Sequence, residues 1–167
     1  MRLYMVRHGI AFSHGTPGMA EDERPLTKEG TKKMQEAAKG LRAIDCIPEA
    51  ILSSPLPRAR QTAEIVLEAL GKQIPLILVD ALAPAGNRQD VYREIRKRQN
   101  SQSVMLVGHQ PSLGEMAGDI AWGSPERFVE LKKGGACALE IEAVTPSPRG
   151  TLVWLLTPSI LRGLAGE

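Results

Sequence analysis

The stretch Met1-Arg2-Leu3-Tyr4-Met5-Val6-Arg7-His8-Gly9 decides how this chain is read. Residues 3–6 are a short apolar run, the pattern of a buried strand. The run stops at an arginine, a histidine and a glycine. The carboxyl end of a strand is where open α/β sheets keep their ligand sites. A cation and an imidazole placed there suit an anion. Gly9 lets backbone N–H groups come close to such an anion, so it is expected to bind substrate through its main chain.

Outward from that strand, β and α signals alternate. A loop rich in Gly and Pro covers residues 14–22. Thr27 reads as the N-cap of a helix to about residue 41, with Met34, Ala37, Ala38 and Leu41 on its buried face. Gly30 costs roughly 1 kcal/mol against alanine in a helix, and close packing of the helix on the sheet is the reason expected for it. Residues 50–53 form a second strand, and 57–70 a helix stopped by Gly71. A third strand is expected over 76–79 and a helix over 90–97. The unbroken apolar run 104–107 reads as a strand buried on both faces. Pro111 suits the first turn of the next helix, which turns Leu113, Met116, Ala117 and Ile120 inward. Residues 137–141 and 151–156 read as strands around a turn at 146–150. The expected fold is an α/β three-layer sandwich. Its central sheet is mostly parallel with an antiparallel edge, and helices cover both faces.

The 167 residues suit a single domain spanning 1–167. A net charge of +2 is too small to argue for nucleic acid. Cys46 and Cys137 stand apart and form no metal-binding spacing, which with no secretion signal fits a reducing cytoplasm. The first apolar run is too short for a signal or a membrane span, and nothing later reaches membrane length. No membrane partner is expected, and a monomer is favoured.

Three more segments follow in order: Arg24-Pro25-Leu26-Thr27, the run Ser53-Ser54-Pro55-Leu56-Pro57-Arg58-Ala59-Arg60-Gln61-Thr62-Ala63, and Val107-Gly108-His109-Gln110-Pro111. With Arg7-His8-Gly9 they resemble the histidine phosphatase superfamily, the phosphoglycerate-mutase-like fold, over the whole chain. Arg24-Pro25-Leu26-Thr27, the compact length and Leu82-Ala83-Pro84 resemble its small, SixA-type phosphohistidine phosphatase branch.

The resemblance implies a catalytic set of His8, Arg7, Arg58 and His109. His8 is the expected nucleophile, since a neutral imidazole nitrogen can attack phosphorus and form a phosphoenzyme. Arg7 and Arg58 form the phosphate clamp, because a guanidinium fork matches phosphate oxygens and keeps its charge. Arg58 opens a helix, where a cation opposes the dipole and wants a local anion. His109 is the twin of His8, a histidine between a strand end and a helix start, and completes the pocket. Arg24 either binds substrate from the far side or pairs in its loop with Glu21, Asp22 or Glu23. His14 and Arg60 read as surface residues.

One absence bears on the substrate. Many members that cleave phosphate esters carry a carboxylate after the third strand or directly after the second histidine. Here those places hold Pro84 and Gln110. An alkoxide leaving group gains about 10²–10⁴-fold from a proton donor. A phosphohistidine releases an imidazole whose conjugate acid has a pKa of about 6.5, so it needs little help. The missing acid favours an N-phosphoryl substrate, although Asp80 and Glu115 remain possible donors. No carboxylate cluster stands beside the histidines, so no metal and no cofactor are expected. Arg93, Arg96, Lys97 and Arg98, with Lys132 and Lys133, are either a solvated face or a docking surface for an acidic partner.

The leading expectation is a metal-independent phosphatase acting on protein phosphohistidine. The alternatives are a phosphatase for a small phosphomonoester or nucleotide, and a binding module that holds a phosphorylated ligand without turning it over.

Overall fold

The computed structural model describes residues 1–166. In chain order the elements are β1 (Arg2–Arg7), α1 (Lys28–Ala43), β2 (Ala50–Ser53), α2 (Pro57–Leu70), β3 (Leu76–Leu78), α3 (Arg88–Arg96), β4 (Ser103–Gly108), α4 (Ser112–Trp122), β5 (Ala136–Ala143), β6 (Arg149–Leu156) and α5 (Pro158–Leu164). Single 3-10 turns sit at Glu21–Glu23 and Asp80–Leu82.

The six strands form one sheet in the order β3-β2-β4-β1-β5-β6. The pairs β3–β2, β2–β4 and β4–β1 are parallel, and β1–β5 and β5–β6 antiparallel. This is the expected sandwich with an antiparallel edge. Alternate residues of a strand face opposite ways, and β1 shows it. Leu3 and Met5 enter a core with Tyr92, Ile95, Leu113 and Met116 of α3 and α4. Tyr4 and Val6 enter another with Met34, Leu41, Ala63 and Val66 of α1 and α2. Helices therefore cover both faces, and the carboxyl ends of β1, β2 and β4 are left to their loops.

Local signals explain most boundaries. The Thr27 hydroxyl accepts from the Gly30 N–H and caps α1. Gly71 ends α2 in the left-handed conformation, φ 62°. The helix expected over 90–97 starts earlier, because Asn87 caps it at the Gln89 N–H. Gly30 does not pack on the sheet as expected. A Cβ there would lie 1.9 Å from the Ile10 carbonyl oxygen, so its absence lets α1 meet the loop that leaves β1.

Helix α5 was not expected from the sequence. It has one buried residue, Leu161, too few for a hydrophobic period. Its legible signals are the Thr157 cap and Pro158 in the first turn. Gly40 admits it, since a Cβ on α1 there would meet the Leu161 carbonyl oxygen at 1.9 Å.

Candidate active site

Arg7, His8, Arg24, Arg58 and His109 line one cavity of about 450 Å³. His8 follows β1 and His109 follows β4, and these strands pair in parallel with Arg7 opposite Gly108. The two imidazole rings lie 5.1 Å apart, centre to centre. Arg58 arrives from the first turn of α2, which follows β2 on the other side of β4. His8, Arg58 and His109 are 7, 3 and 3% exposed, so three polar side chains are held largely out of water around a concave space.

The hydrogen bonds divide the two histidines. His8 Nδ1 lies 2.7 Å from the Gly9 carbonyl oxygen. A carbonyl only accepts, so Nδ1 carries the proton and Nε2 keeps its lone pair. His109 is tied by the other nitrogen, with Nε2 2.8 Å from the Ser54 hydroxyl, and its buried Nδ1 has no protein partner. Burial holds His8 down to about 3, with His109, Arg58 and Arg7 adding repulsion. Burial and then Arg58, Arg24 and Arg7 hold His109 down to about 4. Both rings are therefore neutral at pH 7.

The guanidinium groups are anchored at one end and unsatisfied at another. Arg7 Nη1 donates to the Leu131 carbonyl at 2.8 Å, and Arg58 Nη1 to the Glu21 carbonyl at 3.1 Å. The Nε atoms of both are buried with no partner. Buried donors are normally paired. Three orphaned nitrogens around one cavity, two of them on cations, form an arrangement that an oxyanion would satisfy.

The Gly9 expectation needs correction. Its N–H donates to the Thr62 hydroxyl at 3.0 Å, so it is not available to an anion, and Gly9 does not line this cavity. Gly9 acts instead through its carbonyl, which orients His8. Thr62 in turn donates to the Arg58 carbonyl at 2.7 Å. One buried hydroxyl thus joins the end of β1 to the first turns of α2.

Arg24 takes the loop pairing that was one of its two expected fates, and it also stands at the cavity. It lines the cavity and is also paired with Glu21, with Nε 2.8 Å from Oε2 and Nη2 on Oε1. Its Nη1 donates to the Phe12 carbonyl at 2.5 Å. His14, read as a surface residue, is exposed but stands at the mouth of the cavity with Nδ1 2.5 Å from Glu21 Oε2. Arg60 lies on the surface, paired with Glu64 at 2.8 Å.

Of the carboxylates, only Glu21 is among the cavity's described lining residues. Hydrogen bonds from Arg24, then His14, hold its carboxyl down to about 2. It is an acceptor at neutral pH and has no proton to give. Asp80 and Glu115 do not line the cavity, whereas Pro84 does. Gln110 is committed to structure. Its Oε1 accepts from the Gly114 N–H at 2.9 Å and its Nε2 donates to the Val129 carbonyl at 3.1 Å. Among the described residues no group of three or more His, Cys, Asp or Glu side chains could hold a metal ion.

The basic run at the end of α3 is offset in part by two carboxylates of the chain, while Arg96 donates to the Pro146 carbonyl. Arg93 pairs with Asp90 at 2.7 Å, and Lys97 and Arg98 pair with Glu94 at 2.5 and 3.0 Å. It reads as a solvated face. No described helix is long and apolar enough to cross a membrane.

Comparison with known proteins agrees with this fold. Residues 3–85 match the model of the histidine phosphatase superfamily (branch 1). An uncharacterized protein of Picosynechococcus is 39% identical over 142 residues, covering 83% of this chain and 84% of that one. The chain belongs to the histidine phosphatase superfamily, whose members are phosphatases. Within it, the chain is similar to the phosphohistidine phosphatase SixA of Escherichia coli, at 26% identity over 97% of both chains. Its fold matches that of a protein histidine phosphatase SixA complexed with tungstate, with TM-score 0.83, 24% identity, and 96% of this chain and 99% of that one covered.

Proposed function

We propose that this protein is a metal-independent phosphatase that removes the phosphoryl group from protein phosphohistidine through a phospho-His8 intermediate. The observation that carries the substrate choice is that Glu21, the one carboxylate among the described lining residues, is held ionised by Arg24 and His14. Among the described residues the site has cations and a nucleophile but no protonated carboxylic acid to serve an alkoxide.

In the first step His8 Nε2 attacks phosphorus. The P–N bond to the substrate imidazole breaks, and that imidazole leaves with the electron pair. It leaves as neutral imidazole because its other nitrogen takes a proton from solvent before the P–N bond breaks, and a ring that protonates at a pKa of about 6.5 needs no donor from the protein for this. Positive charge that develops on His8 is stabilised by the Nδ1–H bond to Gly9. Arg7 and Arg58 meet the equatorial phosphoryl oxygens through donors that have no partner in the protein, and their fixed charge fills the role a metal would take. Arg24 closes the clamp from the loop. His109 offers a further hydrogen bond from beside His8. In the second step water attacks phospho-His8, phosphate leaves, and neutral His8 is restored.

The test compares a phosphohistidine-bearing protein domain with a panel of small phosphate esters in the presence of chelator. Preference for the domain, abolished in His8→Ala, is the expected result. Faster turnover of esters would move the assignment to a small-molecule phosphatase, and Asp80→Asn and Glu115→Gln would then locate the missed acid. Tungstate binding without turnover of any substrate would leave a binding module.

A further inference from the structure

A second cavity, of about 200 Å³, lies beside the catalytic one, and Lys133 lines both. Its cations are Lys33 from α1, Lys133, and Arg162 from α5, and among the described residues no carboxylate lines it. Ile10, Met34 and Pro158 supply apolar wall. We propose that this cavity receives a glutamate or aspartate side chain of the protein that presents the phosphohistidine, so that an acidic residue near the phosphorylated one is read together with it. The inference rests on the phosphohistidine reading above.

Four observations support it. The first is charge. Lys33 is paired with Glu29 at 2.6 Å, an exposed i,i+4 contact with Glu29 66% exposed. Such pairs are weak and exchange readily. Arg162 Nε stands 3.8 Å from Glu36, beyond hydrogen-bonding distance. Lys132 pairs with Glu130, whereas Lys133 has no ion-pair partner among the described residues. The cavity therefore holds positive charge that the chain itself offsets poorly.

The second observation is rigidity. Gly134, next to Lys133, donates its N–H to the carbonyls of Arg7 and His8 at 3.1 and 3.0 Å. The segment that carries Lys133 is thus tied to the residues that carry the nucleophile, and the two cavities keep a fixed spacing.

Third, a glycine leaves its part of the wall open, since a side chain there would reach into contact with two other wall residues. Gly134 has φ 79°, and a Cβ there would stand 3.6 Å from Met34 Sδ and Pro158 Cβ. Both of those residues line the cavity.

The fourth concerns which anion fits. Phosphate sites use backbone N–H nests, but the glycine N–H groups here are spent. Gly9 donates to Thr62, Gly30 to Thr27, and Gly134 to Arg7 and His8. Two ammonium groups and one guanidinium over apolar walls suit a carboxylate on an aliphatic stem.

The experiment uses synthetic phosphohistidine peptides that carry glutamate at each of several positions around the phosphohistidine, or alanine throughout. Phosphoramidate is the small substrate. Wild type and Lys33→Glu/Arg162→Glu are compared at low salt. Wild type is expected to show a kcat/KM about three- to fivefold higher for the best glutamate peptide than for the alanine peptide, and to lose that preference at high salt. The double variant should lose the preference, or reverse it, while phosphoramidate turnover and Tm stay at wild-type values. Lys33→Gln/Arg162→Gln gives the same reading if charge reversal unfolds the chain. Absence of preference in wild type at every position overturns the inference alone, as does preference that survives in both variants. Turnover of phosphoramidate but of no peptide overturns the phosphohistidine reading, and this inference with it.

Discussion

The ends of β1 and β4 are near copies of each other. Each is a parallel strand that runs into a histidine, with a glycine beside it, and the strands are hydrogen-bonded neighbours. Both rings are buried and held neutral by desolvation and nearby arginines. They differ in which nitrogen the surroundings occupy. At β1 the residue after the histidine offers a carbonyl to Nδ1, and Nε2 is left with its lone pair. At β4 the hydroxyl of Ser54, delivered by β2, takes Nε2. Residue type and place in the fold are the same, so they do not set the role. The neighbours' hydrogen bonds do, by choosing the nitrogen that remains free. On this basis His8 is suited to attack and His109 to hold.

The sharpest way to break this contrast is to remove each ring in turn. His8→Ala takes away the proposed nucleophile, so kcat should fall by at least about 10⁴-fold while tungstate binding remains. His109→Ala removes one stabilising hydrogen bond, with an expected loss of about 10²–10³-fold. Rapid quench with a labelled substrate should trap phosphoenzyme in wild type and His109→Ala but not in His8→Ala. Equal losses, or a phosphoenzyme in His8→Ala, would mean that the roles are exchanged or shared.

A smaller effect concerns what the two rings have in common. Their folded pKa values, about 3 and about 4, lie below the unfolded value of about 6.5. The unfolded chain binds protons first as pH falls, so stability is fully present above about pH 6.5 and declines below it. Between pH 7 and pH 5 each histidine should cost about 2 kcal/mol of folding stability. Urea unfolding at the two pH values measures the loss, and the double variant His8→Asn/His109→Asn should show much less of it. A wild type equally stable at pH 5 and 7 would mean that the rings are not held neutral. Saturation with tungstate at 100 times its Kd should restore about 2.7 kcal/mol, because it supplies the anion that the buried donors lack.

Much of this was legible in the chain, and the reason differs from element to element. The strands β1, β2 and β4 are buried apolar runs that end at Arg7, Ser53 and Gly108, and pattern alone finds them. The convergence of Arg7, His8, Arg58 and His109 was legible because each follows, or ends, one of those strands. Contacts that depend on how a loop folds back were not legible. Glu21 sits thirteen residues after the nucleophile, in a stretch of small and charged residues with no period; its pairing with Arg24 was among the expected alternatives, but the hold of its carbonyl on Arg58 was not. Gly9 was misread for a related reason. Glycine at a strand end does permit an anion to approach, but whether its N–H is free depends on Thr62, more than fifty positions away. Ser54 was visible as part of a motif, and its partner was not.

That partner allows a finer test of the same contrast. Ser54 is fully buried, and its hydroxyl accepts from the Leu56 N–H at 3.3 Å while it meets His109 Nε2. With one lone pair occupied by Leu56, the hydroxyl can still give its proton to Nε2, which would place the ring proton on Nδ1. Ser54→Ala removes that choice and leaves the ring free to hold either tautomer. Loss of one such bond is worth about 1 kcal/mol, or about fivefold in kcat/KM. Lost packing could produce the same fall, so the deciding measurement is the ring ¹⁵N signature. In Ser54→Ala, His109 should shift toward a mixture of tautomers while His8, fixed by Gly9, keeps its own. If both rings change together, the two strand ends are coupled through the 5.1 Å contact between them, and the division of labour belongs to the pair. If neither changes, the Ser54 bond does not set the tautomer of His109, and the assignment of roles at β4 rests on the arginines alone.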